Sequence, residues 1–144
     1  MRKIKFRAKD LTTKEWVCGD LHTLCDQPHI HTEVTAYPFA GKRSFVDQDT
    51  IGQFTGYTDM KGKEIYEGDI VIKHRYSEDQ QLVCRWMERF ACFGFYENVE
   101  YGEVYYLNRR DCKETVEVIG NVYDNPNMYH GNEDGTEDYY NKDK

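Results

Sequence analysis

Five side chains of metal-ligating type fall within 14 residues in the run Cys18-x3-His22-x2-Cys25-x3-His29-x-His31. Zinc takes four such ligands in a tetrahedron, and structural sites usually present them as closely spaced pairs. This spacing matches no standard finger, and Cys18 and His31 fall on stretches that read as strands. Such a set is more often made of buried cysteines and solvated or hydrogen-bonded histidines, so no metal and no cofactor are expected. Glu67 and Asp69 are two neighbouring carboxylates of the kind that acid–base chemistry uses. Gly68 between them makes the tripeptide a turn instead, with Asp69 capping backbone amides. The two serines, Ser44 and Ser77, lie in no Gly-x-Ser-x-Gly elbow. No glycine loop of the phosphate-cradling type is present.

Lys3, Lys5, Arg7 and Lys9 alternate with Ile4, Phe6 and Ala8. In a strand this period puts the four cations on one face, about 6.6 Å from one to the next. That is close to the spacing of phosphates along one nucleic-acid strand, so the stripe is a candidate partner-binding surface. The plainer account is a solvated strand face whose charges pair with acids such as Glu15 or Asp20 on the neighbouring strand. A net charge of −7 favours the plainer account, because the rest of the chain repels a polyanion. Tyr57, Tyr66, Phe93, Phe95, Tyr105 and Tyr106 can stack on bases in principle. Such residues are more often the core of a β domain.

The elements that must position these groups are strands. At 144 residues one domain is expected, and 39% hydrophobic with 15% aromatic residues argues for a packed core despite 31% charged residues. No run of about 18 apolar residues and no signal peptide is visible, which places the protein in the cytosol, and its five irregularly spaced cysteines then read as free thiols. Residues 49–73 form the organising stretch. It reads as a strand, a turn at 58–63 with Asp59 and Gly62, a short strand, the turn at Glu67-Gly68-Asp69, and the β-branched strand Ile70-Val71-Ile72. Before it come strands at 3–9 and 15–21 and a moderate alternation over 29–36. After it come a hairpin over 81–97, a short strand at 103–107, a charged loop at 108–111 and a closing strand at 113–123. No window carries a 3.6-residue period, so little helix is expected beyond one turn near 127–129. Residues 130–144 are polar and acidic and read as disordered.

Four blocks of this chain resemble the YopX family of phage and prophage proteins. They are Arg2-Lys-Ile-Lys-Phe-Arg-Ala-Lys-Asp10, Thr50-Ile-Gly-Gln-Phe-Thr-Gly-Tyr-Thr-Asp59, Gly62-Lys-Glu-Ile-Tyr-Glu-Gly-Asp-Ile-Val71 and Glu117-Val-Ile-Gly-Asn-Val-Tyr-Asp-Asn-Pro126. They stand in the family's order over residues 2–126. Residues 22–48 and 76–114 match loosely, and the tail does not match. The resemblance implies a phage or prophage origin, a small β-rich fold and no catalytic residues. Together these readings predict a mainly β domain over residues 1–126, with amino-terminal β hairpins (1–48) packed on a small SH3-like barrel (49–126), little helix, and an acidic tail (127–144). The expected function is a non-enzymatic accessory protein, acting as a protein-interaction module in the bacterial cytosol with a partner from host or phage. A nucleic-acid-associated regulator using Lys3, Lys5, Arg7 and Lys9 is the alternative, and a metal-dependent enzyme comes third.

Overall fold

The structure, a computed structural model, describes residues 1–32, 42–97 and 104–128. Six strands make the first sheet: β1 (Phe6–Lys9), β2 (Trp16–Leu24), β3 (Gln27–His31), β4 (Arg43–Phe45), β5 (Gly52–Thr58) and β6 (Glu64–Tyr66). Their order is β4-β3-β2-β1-β5-β6, and every pairing is antiparallel. The alternation read for β1 is present: Ala8 is fully buried and Phe6 packs beside it, while Arg7 and Lys9 take the opposite face. The β2–β3 hairpin closes through two residues, Cys25 and Asp26, with φ of 48° and 62°. That is the backbone of a type I′ turn, which matches strand twist but usually draws Asn or Gly. After β4, Val46 bridges Asp10, and the Asp47 amide donates to the Lys9 carbonyl, so the chain folds back to β1. Ala8, Ile30 and Val46 form the small core inside this curl, ringed by Phe6, Val17, Leu21 and Ile51.

The second sheet holds β7 (Asp69–Lys73), β8 (Gln80–Met87), β9 (Cys92–Glu97), β10 (Val104–Tyr106) and β11 (Val116–Asn121), in the order β10-β9-β8-β7-β11. Its inner face supplies Val71, Leu82, Cys84, Phe93, Phe95, Val116 and Val118 to the larger core. Ile65 of β6 and Cys112 of a short helix, α1 (Arg109–Thr115), complete it.

The mainly β class expected from sequence is what the chain adopts, as two antiparallel sheets. The SH3-like barrel is not seen: β7 to β11 make an open sheet, and among the described residues no barrel closes. The sheets divide between β6 and β7, because β5 pairs with β1 and carries β6 into the first sheet. The charged loop expected at 108–111 is instead the start of α1. Asn108 caps it by accepting the Asp111 amide at 2.9 Å, and only Cys112 faces the core. A seven-residue helix with one buried position is too short to show a 3.6-residue period in sequence. The alternation read over 29–36 is a strand as far as His31, and residues 33–41 lie outside the described residues. So do residues 129–144, on which the disordered-tail reading mainly rests. A single helical turn at Pro126–Met128 stands where one was expected.

The turn after β5 has the chemistry its sequence promised. Asp59 is buried, and its Oδ1 accepts the amides of Lys61 (2.9 Å) and Lys63 (2.8 Å). Its Oδ2 accepts the Val118 amide at 2.9 Å, which ties the turn to β11. Gly62 sits at φ 82°, and a Cβ added there would meet nothing within 4 Å, so any cost of a side chain is backbone strain alone. Gly62→Val is expected to destabilise the protein by about 1–2 kcal/mol, and Gly62→Asn by less, since Asn tolerates this region. Urea unfolding of the two variants checks the order; equal midpoints for wild type and Gly62→Val would refute it.

Candidate functional site

The basic stripe of β1 is the most organised polar feature of the molecule. Arg7 lies opposite Cys18, and Lys9 opposite Trp16. The Arg7 guanidinium is sandwiched, with its carbon 4.8 Å from the ring centres of both Trp16 and Tyr66. Its Nη2 donates to Asp69 Oδ1 at 2.5 Å, and Asp69 Oδ2 accepts the Tyr66 amide at 2.8 Å. Side-chain exposure is 11% for Arg7 and 1% for Asp69, so this ion pair is inside the protein. Arg7 belongs to the first sheet and Asp69 opens the second. The Arg7 Nε has no hydrogen-bond partner. Burial pushes the Asp69 carboxyl above its usual range, while Arg7 and the Tyr66 amide pull it down.

Lys5 and Lys9 continue the pattern. Lys5 Nζ donates to Glu64 at 2.5 Å and lies over the rings of Phe54 and Tyr66. Burial raises the Glu64 carboxyl, but its hydrogen bonds from Lys5 and from Tyr66 Oη outweigh that and leave it lowered. Burial, then the bond to Glu64, holds the Tyr66 phenol well above its usual range. Lys9 Nζ pairs with Asp124 at 2.5 Å, and Trp16 Nε1 donates to the same carboxylate at 2.6 Å. The Trp16 ring also meets Tyr123 at 5.8 Å. Lys3 is exposed, and its charge helps to lower Glu64. The counter-charges therefore come from β6, β7 and the turn after β11, not from Glu15 or Asp20 on the adjoining strand. Three of the four stripe cations are held in ion pairs between segments far apart in sequence.

The cysteine and histidine run does not assemble as a unit. His22, His29 and His31 meet on one face of the β2–β3 hairpin. Cys25 is spent in the turn, and Cys18 lies four strand residues from His22, about 13 Å along β2. Among the described residues no group of three or more His, Cys, Asp or Glu is arranged to hold a metal ion. Of the aromatics weighed as base-stacking residues, Tyr66, Phe93 and Phe95 are buried, Tyr57 and Tyr105 pack against the larger core, and Tyr106 is exposed. Glu67 and Asp69 flank a turn, as the glycine between them implied. Gly68 takes φ 84°, and a Cβ there would stand 3.0 Å from the Tyr123 ring.

Sequence reasoning missed the aromatic tip of the β8–β9 hairpin. Trp86 (42% exposed) is the last residue but one of β8 and meets Phe93 edge-on at 5.0 Å. Phe90 (43%), in the helical turn Glu88–Phe90, meets Tyr106 (56%) edge-on at 5.4 Å. Strand alternation puts Trp86 on the core face with Leu82 and Cys84. Its position at the strand end, next to the turn, is what exposes it, and periodicity does not register that.

A two-sheet, mainly β domain whose stripe of cations is neutralised across the sheet junction is the class that the fold defines. The sequence matches the YopX protein family over residues 5–129, and the chain belongs to that family. Among solved structures it is similar to the crystal structure of protein EF1440 from Enterococcus faecalis, with 23% identity and a TM-score of 0.57. That likeness covers 89% of this chain and 99% of the other, and it concerns the fold. No curated protein matches the sequence.

Two consequences of the junction are measurable. Arg7→Met leaves Asp69 buried without a cation and is expected to cost about 3–5 kcal/mol. Arg7→Met combined with Asp69→Leu should recover much of that loss in urea unfolding; a double variant no more stable than the single one would show that the pair is not the reason. The second consequence concerns Asp124. Its hydrogen bonds from Lys9, Asn121 and Trp16 hold its carboxyl down at about 2. A carboxyl lowered on folding contributes stability that is complete above about pH 4 and is lost as pH falls through the folded value. Asp124→Asn should therefore remove part of the acid destabilisation between about pH 4 and pH 2. The effect is modest, because this side chain is 40% exposed.

Proposed function

We propose that the protein works by binding another protein, and that the aromatic tip of the β8–β9 hairpin makes the contact. The observation that carries this reading is the exposure of Trp86, Phe90 and Tyr106 around one hairpin end, with Arg89 lying over the Phe90 ring at 5.5 Å. Large aromatics and arginine dominate the energetics of protein interfaces, because they bury much area at low entropic cost. The stripe of Lys5, Arg7 and Lys9 is already ion-paired within the chain, so it offers a polyanion less than its sequence suggests. An accessory protein of phage or prophage origin in the bacterial cytosol is the setting that goes with this reading, and it is non-enzymatic.

The experiment compares wild type with the triple variant Trp86→Ser, Phe90→Ser, Tyr106→Ser, both immobilised and exposed to bacterial lysate. A protein retained by wild type and lost by the variant, with the circular dichroism of the variant unchanged, is the expected result. Identical retention by both would overturn the assignment of the tip. Salt-sensitive retention of nucleic acid, abolished by replacing Lys3, Lys5, Arg7 and Lys9 with Ser, would transfer the function to the stripe.

A further inference from the structure

His22, His29 and His31 share one face of the first sheet. Their ring centres lie 4.5 Å (His22–His31), 5.0 Å (His29–His31) and 5.7 Å (His22–His29) apart. The register explains the cluster: His22 stands directly opposite His29, and residues opposite each other across a strand pair share a face. His31 stands opposite Asp20 on one side and Arg43 of β4 on the other, and His29 stands opposite Phe45. His29 is only 4% exposed, its ring lies 5.8 Å from Phe45, and its Nδ1 has no hydrogen-bond partner. Burying a charge without a partner is far more costly than burying a neutral group.

The charges around the cluster do little to offset a proton on it. Asp20 on β2 is the one carboxylate directly opposite, and Arg43 opposes it across β3. Cys18 lies further along β2, and Cys25 and Asp26 lie in the turn beyond. On β1 and just before it, past β2, Lys5, Arg7 and Lys9 are committed to Glu64, Asp69 and Asp124. Burial, then the charges of His22, His29 and Arg43, hold His31 below the usual histidine range, with Asp20 pulling the other way. A histidine lowered on folding binds fewer protons in the folded state. Its contribution is therefore intact above about pH 6.5 and diminishes as pH falls below that value. The remaining histidine among the described residues, His74, follows β7 in the second sheet and has acids beside it, with Asp79 at 3.0 Å and Glu117 at 3.7 Å.

We propose that the His22–His29–His31 cluster makes the β2–β3–β4 end of the first sheet acid-labile: packed at neutral pH, it opens locally on acidification while the second sheet stays folded. Opening would uncover Ile30 and Ser44, both buried in the closed form, and free the backbone edge of β2 for pairing with another strand.

Amide hydrogen exchange on the full chain, with protection corrected for intrinsic rates, tests this at about pH 7.5 and pH 5.5. The amides of His29, Ile30, His31 and Ser44 should lose protection about tenfold or more, the change expected for one extra proton over one pH unit. Those of Val83 and Cys84 in β8 should hold theirs. The variant His22→Gln with His31→Gln should lose most of the pH dependence; the single exposed change His22→Gln, which leaves the rest of the hairpin intact, should lose part of it. Unchanged protection of β3 and β4 in wild type at the lower pH would overturn the proposal. So would an equal loss in β8, which means global unfolding, or a full tenfold loss retained in both variants.

Discussion

The Arg7–Asp69 pair is the contact on which the arrangement of the two sheets depends. It joins an inner strand of the first sheet to the first residue of the second, and both partners are inside the protein. A buried ion pair gains little net energy over a well-packed apolar contact, because desolvation offsets the attraction. Its value here is positional. Asp69 also accepts the Tyr66 amide, and Arg7 is clamped between Trp16 and Tyr66, so one geometry places all four residues. A slipped strand would leave a carboxylate in an apolar setting.

The same logic spreads along the stripe. Lys5 reaches Glu64 on β6, at one edge of the first sheet, and Lys9 reaches Asp124 in the turn after β11. The three bridges decrease in burial from Arg7 outward, and the outer two are correspondingly weaker. Trp16 links the Arg7 and Lys9 bridges, since it stacks on Arg7, lies near Lys9, donates to Asp124 and touches Tyr123. The amino-terminal strands are thereby held to the end of the last strand. This is why the blocks that carry the family resemblance, which lie far apart in sequence, meet in space: Arg7, Tyr66, Asp69 and Asp124 come from three of them.

The proposed roles sit away from this junction. The aromatic tip lies at the end of the β8–β9 hairpin, and the histidine cluster lies on β2 and β3, toward the β4 edge of the first sheet. The residues concerned, Trp86, Phe90 and Tyr106 at the tip and His22 on the hairpin, make none of the hydrogen bonds that hold the buried ion pair. A rigid joint with adaptable extremities suits a binding protein, since the parts that meet a partner need not be the parts that hold the fold.

Several features were legible in the sequence because they are local. Turn chemistry at Asp59 and Gly62, the glycine turn at 67–69 and the run Ile70-Val71-Ile72 each specify backbone conformation through neighbouring residues, and each is present; the alternation over 3–9 is a strand only from Phe6 to Lys9, and Ile4 is exposed. Four basic positions at alternate residues from Lys3 to Lys9 were equally readable. What they face was not. Pairing of β5 with β1, and hence the sheet division after Tyr66, depends on contacts between residues more than forty apart in sequence, for which alternation carries no address. For the same reason the stripe looked like a surface and is a seam: periodicity tells which side chains share a face, but only the tertiary structure decides whether water or Glu64, Asp69 and Asp124 lie against it.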